Sequence, residues 1–500
     1  ARGYVARLTE LGHKVVICEQ TEDPKLAKGL VKREVTRIVT PGVVLDDDVL
    51  HAGTSRYLAS VALGDDAGVG LAYLDVSTGE LMSCLLSGVQ AVLDELARIE
   101  PKELVVDPLA LASPLVPAIL AQRPDVTVSR VETLDTAASR VVLSDALGSA
   151  VNEAPAAPCV RQAAAQVVSY ARATQPLGAL PIARLGFYRP EETLVLDDSA
   201  KTHLELVESS LDKKKHGSLL GVLDRTCTAP GARRLRRWLL FPLVDVAAIR
   251  RRQDAVEFLF ERAKLRQDLE RELGQIYDLE RLGGRVTLGI ASVRDLLCLR
   301  ASLEKLPAIA ALLMVETRRA VSAPELLLWD AEPLARAADV ARAIASTLGD
   351  EAPAAGDSGV VRPGFSRDVD ELTELAQGGK ERILAIEAKE RQATGIAGLK
   401  IRYNRVFGYY IEITKATLKT RELPGRFLRK QTLANAERFV TEELAELETQ
   451  VLGAQDQLKA VEERVFADLC ARVAAEAELI ADWGERVATL DVVRSLADVA

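Results

Sequence analysis

Between Leu444 and Val465 the apolar residues fall at Leu444, Leu447, Val451, Ala454, Leu458, Val461 and Val465, with gaps of three and four alternating throughout. That spacing lays one apolar stripe along one side of an α-helix and requires a second helix to cover it. Few architectures satisfy it. The stripe spans 22 residues, which extend about 33 Å at a rise of about 1.5 Å per residue. A partner lies upstream. A helical stretch from about residue 370 to Thr394, stopped by Gly395, carries a weaker match at Leu372, Leu375, Ile383 and Ile386. Between the two runs, residues 399 to 430 are predominantly non-helical, and a helix is expected to leave near Leu433. The simplest connection is two antiparallel coiled-coil arms that hold a small β tip away from a body.

The charge of that tip departs from the charge of the chain. From Leu399 to Phe439 the cations are Lys400, Arg402, Arg405, Lys415, Lys419, Arg421, Arg426, Arg429, Lys430 and Arg438. The anions are Glu412, Glu422 and Glu437, within a chain whose formal net charge is -9. Screening acts over about 10 Å, so a ligand at the tip feels the local surplus rather than the total. The stretch FLRKQTLANAERF adds neutral donors, Gln431, Thr432 and Asn435, to its cations, and Tyr409 and Tyr410 lie nearby. These are the groups that bond phosphate oxygens. A helix starting near Leu433 would add its free N–H groups. Neither a base-reading helix nor a zinc-finger spacing is visible, so the pattern points to the phosphate backbone of DNA rather than to base edges. The alternative is a coiled-coil scaffold that binds protein partners without DNA, its tip charges merely solvated.

At 500 residues the chain has room for roughly two to four domains. Residues 1 to 45 read as helix, strand (KVVICEQ), a polar helix after TEDP, and a second strand (REVTRIVTPG). Three short strands follow, YLASVAL, GLAYLDV and GELMSCLL, then the helix VQAVLDELARI, the strand KELVVD, a helix near 114 to 122 and the strand DVTV. This order suggests a mixed sheet with helices against it. VRQAAAQVVSYARAT closes that domain, LGFYRPEETLVLDDSA is a short extended passage, and residues 201 to 350 are almost wholly helical. Both ends fall within periodic runs, so the chain is expected to be a piece of a longer protein. Nothing approaches the roughly 20 uninterrupted apolar residues of a membrane span. The six cysteines are scattered singly, which fits a reducing, cytoplasmic setting.

Catalytic chemistry is not expected. Two-metal nuclease chemistry needs clustered carboxylates, yet YLASVAL has no acid, and Asp75, Asp65 and Asp66 read as solvated. In ARRLRRW, Arg233 and Arg237 share a helix face opposite Leu235, Trp238 and Leu239, the mark of a solvated or salt-bridged face; IRRRQD reads likewise. LDKKKHGS is read as a solvated helix end, and His13, His51, His203 and His216 are isolated. No metal site or catalytic triad can be assembled. The nearest approach to a phosphate-binding G-x-x-x-x-G-K-[ST] loop is QGGKE at 377 to 381, which lacks the first glycine spacing and the hydroxyl for magnesium.

Several long blocks together resemble the bacterial MutS family of DNA mismatch repair proteins, over essentially the whole chain. They are GHKVVICEQTEDPKLAKGLVKREVTRIVTPG, SLLGVLDRTCTAPGARRLRRWLLFPLVDVAAIRRRQDAVEFL, DLERLGGRVTLGIASVRDLLCLRASLEKLPAI, LKIRYNRVFGYYIEITK and FLRKQTLANAERF. The resemblance implies a multidomain α+β protein, mostly α-helical. Residues 1–45 would be the C-terminal part of a mismatch-recognition domain and 55–175 a connector of ribonuclease H-like fold. Residues 185–375 would form a helical core and lever domain, 376–475 the clamp, and 476–500 a return into the core. The family's Phe-x-Glu wedge would precede Ala1 and its ATPase would follow Ala500, so ATP and magnesium would come only with that domain. Implied partners are mismatched double-stranded DNA, a MutL-type protein at the connector and a second copy of the protein, in a bacterial, nucleoid-associated setting. At the clamp, Arg429 and Lys430 match the family's paired cations and Asn435 its usual amide. Ala434 stands where one relative has Lys. Thr432 joins them as a neutral donor, and Arg426 and Arg438 are added from charge alone.

Overall fold

Alternation and helical periodicity are realised in a computed structural model that describes residues 2–20, 30–46, 50–64, 68–147, 157–175, 179–182, 184–354, 358–404, 408–420 and 423–500. The chain divides into two compact units, Ala1–Arg342 with Cys470–Ala500, and Ala343–Leu469. Among the described residues no helix is long and apolar enough to cross a membrane.

In the first unit, strands β1 (Val15–Gln20) and β2 (Arg33–Val39) pair antiparallel. The helix expected after TEDP lies outside the described residues. A meander follows, β3 (Leu58–Leu63), β4 (Gly68–Asp75) and β5 (Glu80–Ser87), all antiparallel. Strands β6 (Glu103–Val106) and β7 (Thr127–Arg130) extend it in parallel beside β3, and β8 (Leu185–Phe187) joins β5. The sheet order is β7-β6-β3-β4-β5-β8. The passage from Leu185, expected to be merely extended, thus begins as an edge strand. Helix Pro158–Thr174 covers one face through Val160, Ala163 and Val167. Helices Gly88–Ile99 and Leu115–Gln122 cover the other through Val92, Leu96 and Ile119. Burial on both faces explains why the central strands are nearly continuous apolar runs. A Cβ at Gly70 would lie 2.3 Å from the Cys159 carbonyl, so a glycine there lets the long helix settle onto β4.

Two acids in this sheet differ from expectation. Asp75 is buried, not solvated. It accepts hydrogen bonds from the Ser77 N–H at 2.9 Å, the Ser77 hydroxyl at 2.6 Å and the Arg56 N–H at 3.0 Å, closing the turn after β4. Asp65 and Asp66 lie outside the described residues. Glu103, unremarked in the sequence, is fully buried and accepts from Thr40 (2.5 Å), the Gly42 N–H (2.9 Å), Tyr170 (2.6 Å) and Ser129. Neutral donors bond both carboxylates, and the Lys14 ammonium lies 3.9 Å from Glu103. Among the described residues no group of three or more His, Cys, Asp or Glu is placed to hold a metal ion.

The helical part answers the arginine question. Arg233 is buried, donating to Asp278 at 2.7 Å, Glu280 at 2.6 Å and the Ala52 carbonyl at 2.8 Å. Arg237 pairs with Glu80. The face is therefore salt-bridged, and at Arg233 it is closed to solvent. LDKKKHGS is a loop, with Lys213 in the left-handed region (φ 55°). Ser218 then caps the helix Leu219–Leu223 through the Gly221 N–H at 3.1 Å. The segment opens a helix rather than ending one.

In the second unit, helix Arg367–Thr394 runs to the tip and helix Glu442–Ala474 returns from it. QGGKE lies within the first of these, so its backbone is helical and forms no phosphate-cradling loop. Leu444, Leu447, Val451, Ala454 and Leu458 are buried along the seam. Leu458 meets Val369 and Ala376, whereas Leu447 and Val451 meet Ile383 and Ile386. Early residues of one arm thus face late residues of the other, an antiparallel pair. Leu375, expected on the seam, is 57% exposed, and Ala376 fills the line instead. The returning helix begins at Glu442, not near Leu433. Phe439 and Val440 continue a strand, as aromatic and β-branched residues favour. The Thr441 hydroxyl then accepts from the Leu444 N–H at 3.3 Å, and Glu442 and Glu443 occupy the first turn. Acids there already complement the helix dipole, so this terminus offers no site for an anion. Farther along, the buried Glu462 carboxylate accepts from the N–H groups of Gly359 (3.0 Å), Val360 (2.9 Å) and Val361 (3.3 Å).

Candidate nucleic-acid interface

The tip is a four-stranded antiparallel sheet. Its strands are β9 (Lys400–Asn404), β10 (Gly408–Thr414), β11 (Leu428–Thr432) and β12 (Ala436–Val440), in the order β11-β12-β10-β9. Ile411, Ile413 and Phe439 anchor it with Ile396, Leu399, Phe427 and Leu444. Gly408 opens β10 at φ 69°, a conformation that favours glycine. β11 is an edge strand.

Strands β11 and β12 are joined by a short turn in which the Leu433 N–H donates to the Ala436 carbonyl at 2.8 Å. Their register pairs Arg429 with Phe439, Gln431 with Arg438 and Thr432 with Glu437. Two residues advance on β11 while one advances on β12, so Lys430 is the extra residue of an irregularity in the ladder. Bulges of this kind commonly re-aim a side chain.

Five of the six residues singled out in the sequence lie on this hairpin, four of them exposed and the fifth, Arg438 on β12, half-buried. Arg429, Lys430, Thr432 and Asn435 are all exposed on it, as is Ala434. Arg429 keeps 62% of its side chain exposed while its Nε lies 3.0 Å from Glu437. The Asn435 carbonyl accepts from the Lys415 N–H at 3.0 Å, tying the turn to the end of β10. Arg426 and Arg438 are engaged with carboxylates of the arm and of the tip itself. Arg426 donates to the buried Glu390 carboxylate of the incoming arm at 2.8 Å. Arg438, only 16% exposed, lies 3.6 Å from Glu412. It donates to the Gln431 side chain at 2.7 Å and lies over the Tyr410 ring at 4.2 Å. Arg405 and Arg421 lie outside the described residues.

Glu412 and Glu437 are visible in the sequence as the tip's anions, but which cations they meet is not, and Glu390 of the arm is not singled out there. A signal was present for one pairing. With ERFV paired against LRKQT, every second residue shares a sheet face, and cross-strand charge pairs form at that spacing. Exposed guanidinium, ammonium, hydroxyl and amide groups on one edge hairpin suit the oxygens of a phosphate chain. The helix Lys415–Leu418 that follows β10 at the tip has only four residues, a single turn, too short to lie along a groove as a base-reading helix does.

Fold and tip together define a multidomain, mixed α/β protein that carries a cationic hairpin on a two-helix arm. Family matches make this specific: MutS domain I over residues 1–48, MutS domain II over 56–181 and MutS domain III over 199–497. The chain belongs to the MutS family. It is similar over its whole length to the DNA mismatch repair protein MutS of Symbiobacterium thermophilum, at 40% identity over 508 residues and 57% of that protein. The protein of the same name from Myxococcus xanthus is 40% identical over 509 residues, of which 56% of its length is covered. That of Anaeromyxobacter sp. (strain K) is 41% identical over 507 residues, again with 56% covered. The chain therefore spans a little over half the length of these curated relatives.

Proposed function

We propose that the chain acts in DNA mismatch repair and that its tip hairpin grips duplex DNA by the phosphate backbone, without regard to sequence. The observation that carries this reading is the gathering of Arg429, Lys430, Thr432 and Asn435 on one exposed edge hairpin. The relatives' shared name, DNA mismatch repair protein MutS, favours it. Arg429 supplies a planar fork that can meet two phosphate oxygens, and Lys430 supplies a point charge. Thr432 and Asn435 add neutral hydrogen bonds that fix register along the backbone. Arg426 and Arg438 serve the tip's own architecture, the first by fastening a loop to the arm, the second by bracing the sheet. The arms carry strain or motion between the tip and the helical core.

The remaining parts fit the same scheme. The order β5-β4-β3-β6-β7, with its first three strands antiparallel and the rest parallel, favours a ribonuclease H-like connector. With its acids Asp75 and Glu103 taken up by internal donors and, at Glu103, by the Lys14 ammonium, that sheet is better suited to docking a MutL-type protein than to cutting nucleic acid. Residues 1–45 act as part of a mismatch-recognition domain, 185–375 as core and levers, and 376–475 as the clamp. QGGKE is helical, which disfavours it as a phosphate-cradling loop. ATP chemistry is assigned to an ATPase domain of the longer relatives, and the working protein to a homodimer in the bacterial cytoplasm, close to the nucleoid. A scaffold that avoids DNA is disfavoured by the exposed hairpin cations.

The test is binding to two unrelated duplexes across about 50 to 200 mM salt. Neutralising about four phosphates predicts a slope of log K against log salt near -3.6 for both. Salt-independent binding, or none, removes the reading.

A further inference from the structure

We propose that Glu437 is a built-in stand-in for phosphate, so that the tip takes up DNA by exchanging one carboxylate for a phosphodiester at Arg429. The inference rests on the phosphate-gripping function above and names the residue that limits it. Arg429 faces Phe439 across the β11–β12 ladder, and Glu437 lies two residues from Phe439, hence on the same side of the sheet. The two are diagonal neighbours, a spacing at which long side chains meet. Their contact is Nε to Oε2 at 3.0 Å. Burial is unequal. Arg429 is 62% exposed and Glu437 13% exposed, so the carboxylate is fixed in the sheet surface while the guanidinium can swing outward from it.

A carboxylate and a phosphate present the same two-oxygen edge to a guanidinium. With Arg429 mostly in water the pair is partly screened, so Arg429 can leave it once another two-oxygen anion is offered. Glu437 cannot leave with it. Beside a bound phosphate its charge repels the ligand and continues to share the same cation, and like-charge juxtaposition of this kind weakens an interface. The other described guanidiniums of the tip have carboxylates too, Arg402 and Arg438 at Glu412 and Arg426 at Glu390. Only the Arg429 pair stands on the hairpin with Lys430, Thr432 and Asn435. Glu437 therefore sets an upper limit on how tightly the hairpin holds DNA, and keeps Arg429 extended along the edge when DNA is absent.

The experiment is Glu437→Gln in the full 500-residue chain, measured by fluorescence anisotropy on a labelled duplex of about 30 base pairs over the salt range above. Binding should tighten about three- to tenfold, and the salt slope should steepen by up to about 0.9, one phosphate's worth. Glu437→Asp keeps the charge but shortens its reach, and should fall between wild type and Gln, which guards against a folding defect peculiar to one variant. Glu446→Gln, at an exposed position of the returning arm, removes the same charge elsewhere and should change affinity by less than about twofold. In an Arg429→Ala background, Glu437→Gln should have no effect beyond that control. The proposal is overturned if Glu437→Gln binds no tighter, if the Glu446 control gains as much, or if the gain survives without Arg429. If replacing Arg429 and Lys430 together leaves DNA binding unchanged, the functional reading itself fails; if that replacement weakens binding while Glu437→Gln does nothing, only the exchange is wrong.

Discussion

Glu462→Gln probes how the returning arm is footed. The Glu462 carboxylate is buried and receives three backbone N–H groups on one oxygen, from Gly359 at 3.0 Å, Val360 at 2.9 Å and Val361 at 3.3 Å. Its second oxygen also receives Gly359, at 3.1 Å. Glutamine keeps the first oxygen but turns each bond from charge-assisted to neutral, a loss of about 1 kcal/mol apiece. It also sets an amide NH2 against the Gly359 N–H, donor to donor. The sum is on the order of 3 kcal/mol, confined to the junction of residues 358–361 with the arm. Hydrogen exchange read by NMR or mass spectrometry is the assay. Since about 1.4 kcal/mol is tenfold, exchange at Gly359, Val360 and Val361 should accelerate roughly a hundredfold. Amides of β10 in the tip should be unaffected. Acceleration below about threefold would show that the loop is held by the Val361–Val369–Leu458 contacts and not by the carboxylate.

Two further variants test other joints. Leu447→Ala removes a buried seam residue packed with Ile383, Ile386 and Val451 and should destabilise the arms by about 2–4 kcal/mol in urea; a loss below about 1 kcal/mol would mean the seam closes over the gap. Glu100 donates no proton at neutral pH: burial alone would raise its pKa, but Arg236 and Lys201 outweigh burial and hold it at about 2. Its folded value lies below the unfolded one, so its contribution, on the order of 3 kcal/mol, is full above about pH 4.5 and lost as pH falls toward about 2. The difference in stability between wild type and Glu100→Gln should shrink across that window, and a difference independent of pH would contradict the pairing.

Much of this was legible in the sequence because it depends on period. The alternation of three and four from Leu444 to Val465 specifies a seam whatever surrounds it, and the strand and helix order from YLASVAL onward specifies a mixed sheet with helices against it. Where one residue type serves two settings, the reading failed. TLANAE suits a helix by composition, yet tertiary pairing of Phe439 and Val440 with β10 and β11 extends the strand and delays the helix to Thr441. Asp75 reads as a surface acid until the turn at Ser77 brings donors to it, and nothing in the sequence marks Glu103 for the donors that Thr40–Gly42 bring. The tip's charge was visible, but its distribution was not. Which guanidinium faces outward depends on register, and the irregularity at Lys430 shifts register by one residue, leaving Arg438 braced on Tyr410 and Arg429 at the edge.

The proposed grip requires that the β11–β12 hairpin meet phosphates through Arg429 and Lys430. Replacing both with Ala and repeating the salt titration tests it most directly. Loss of two phosphate contacts should make the slope shallower by about 1.8 and weaken binding equally for unrelated duplexes. An unchanged slope and affinity, with the arms still folded, would contradict it.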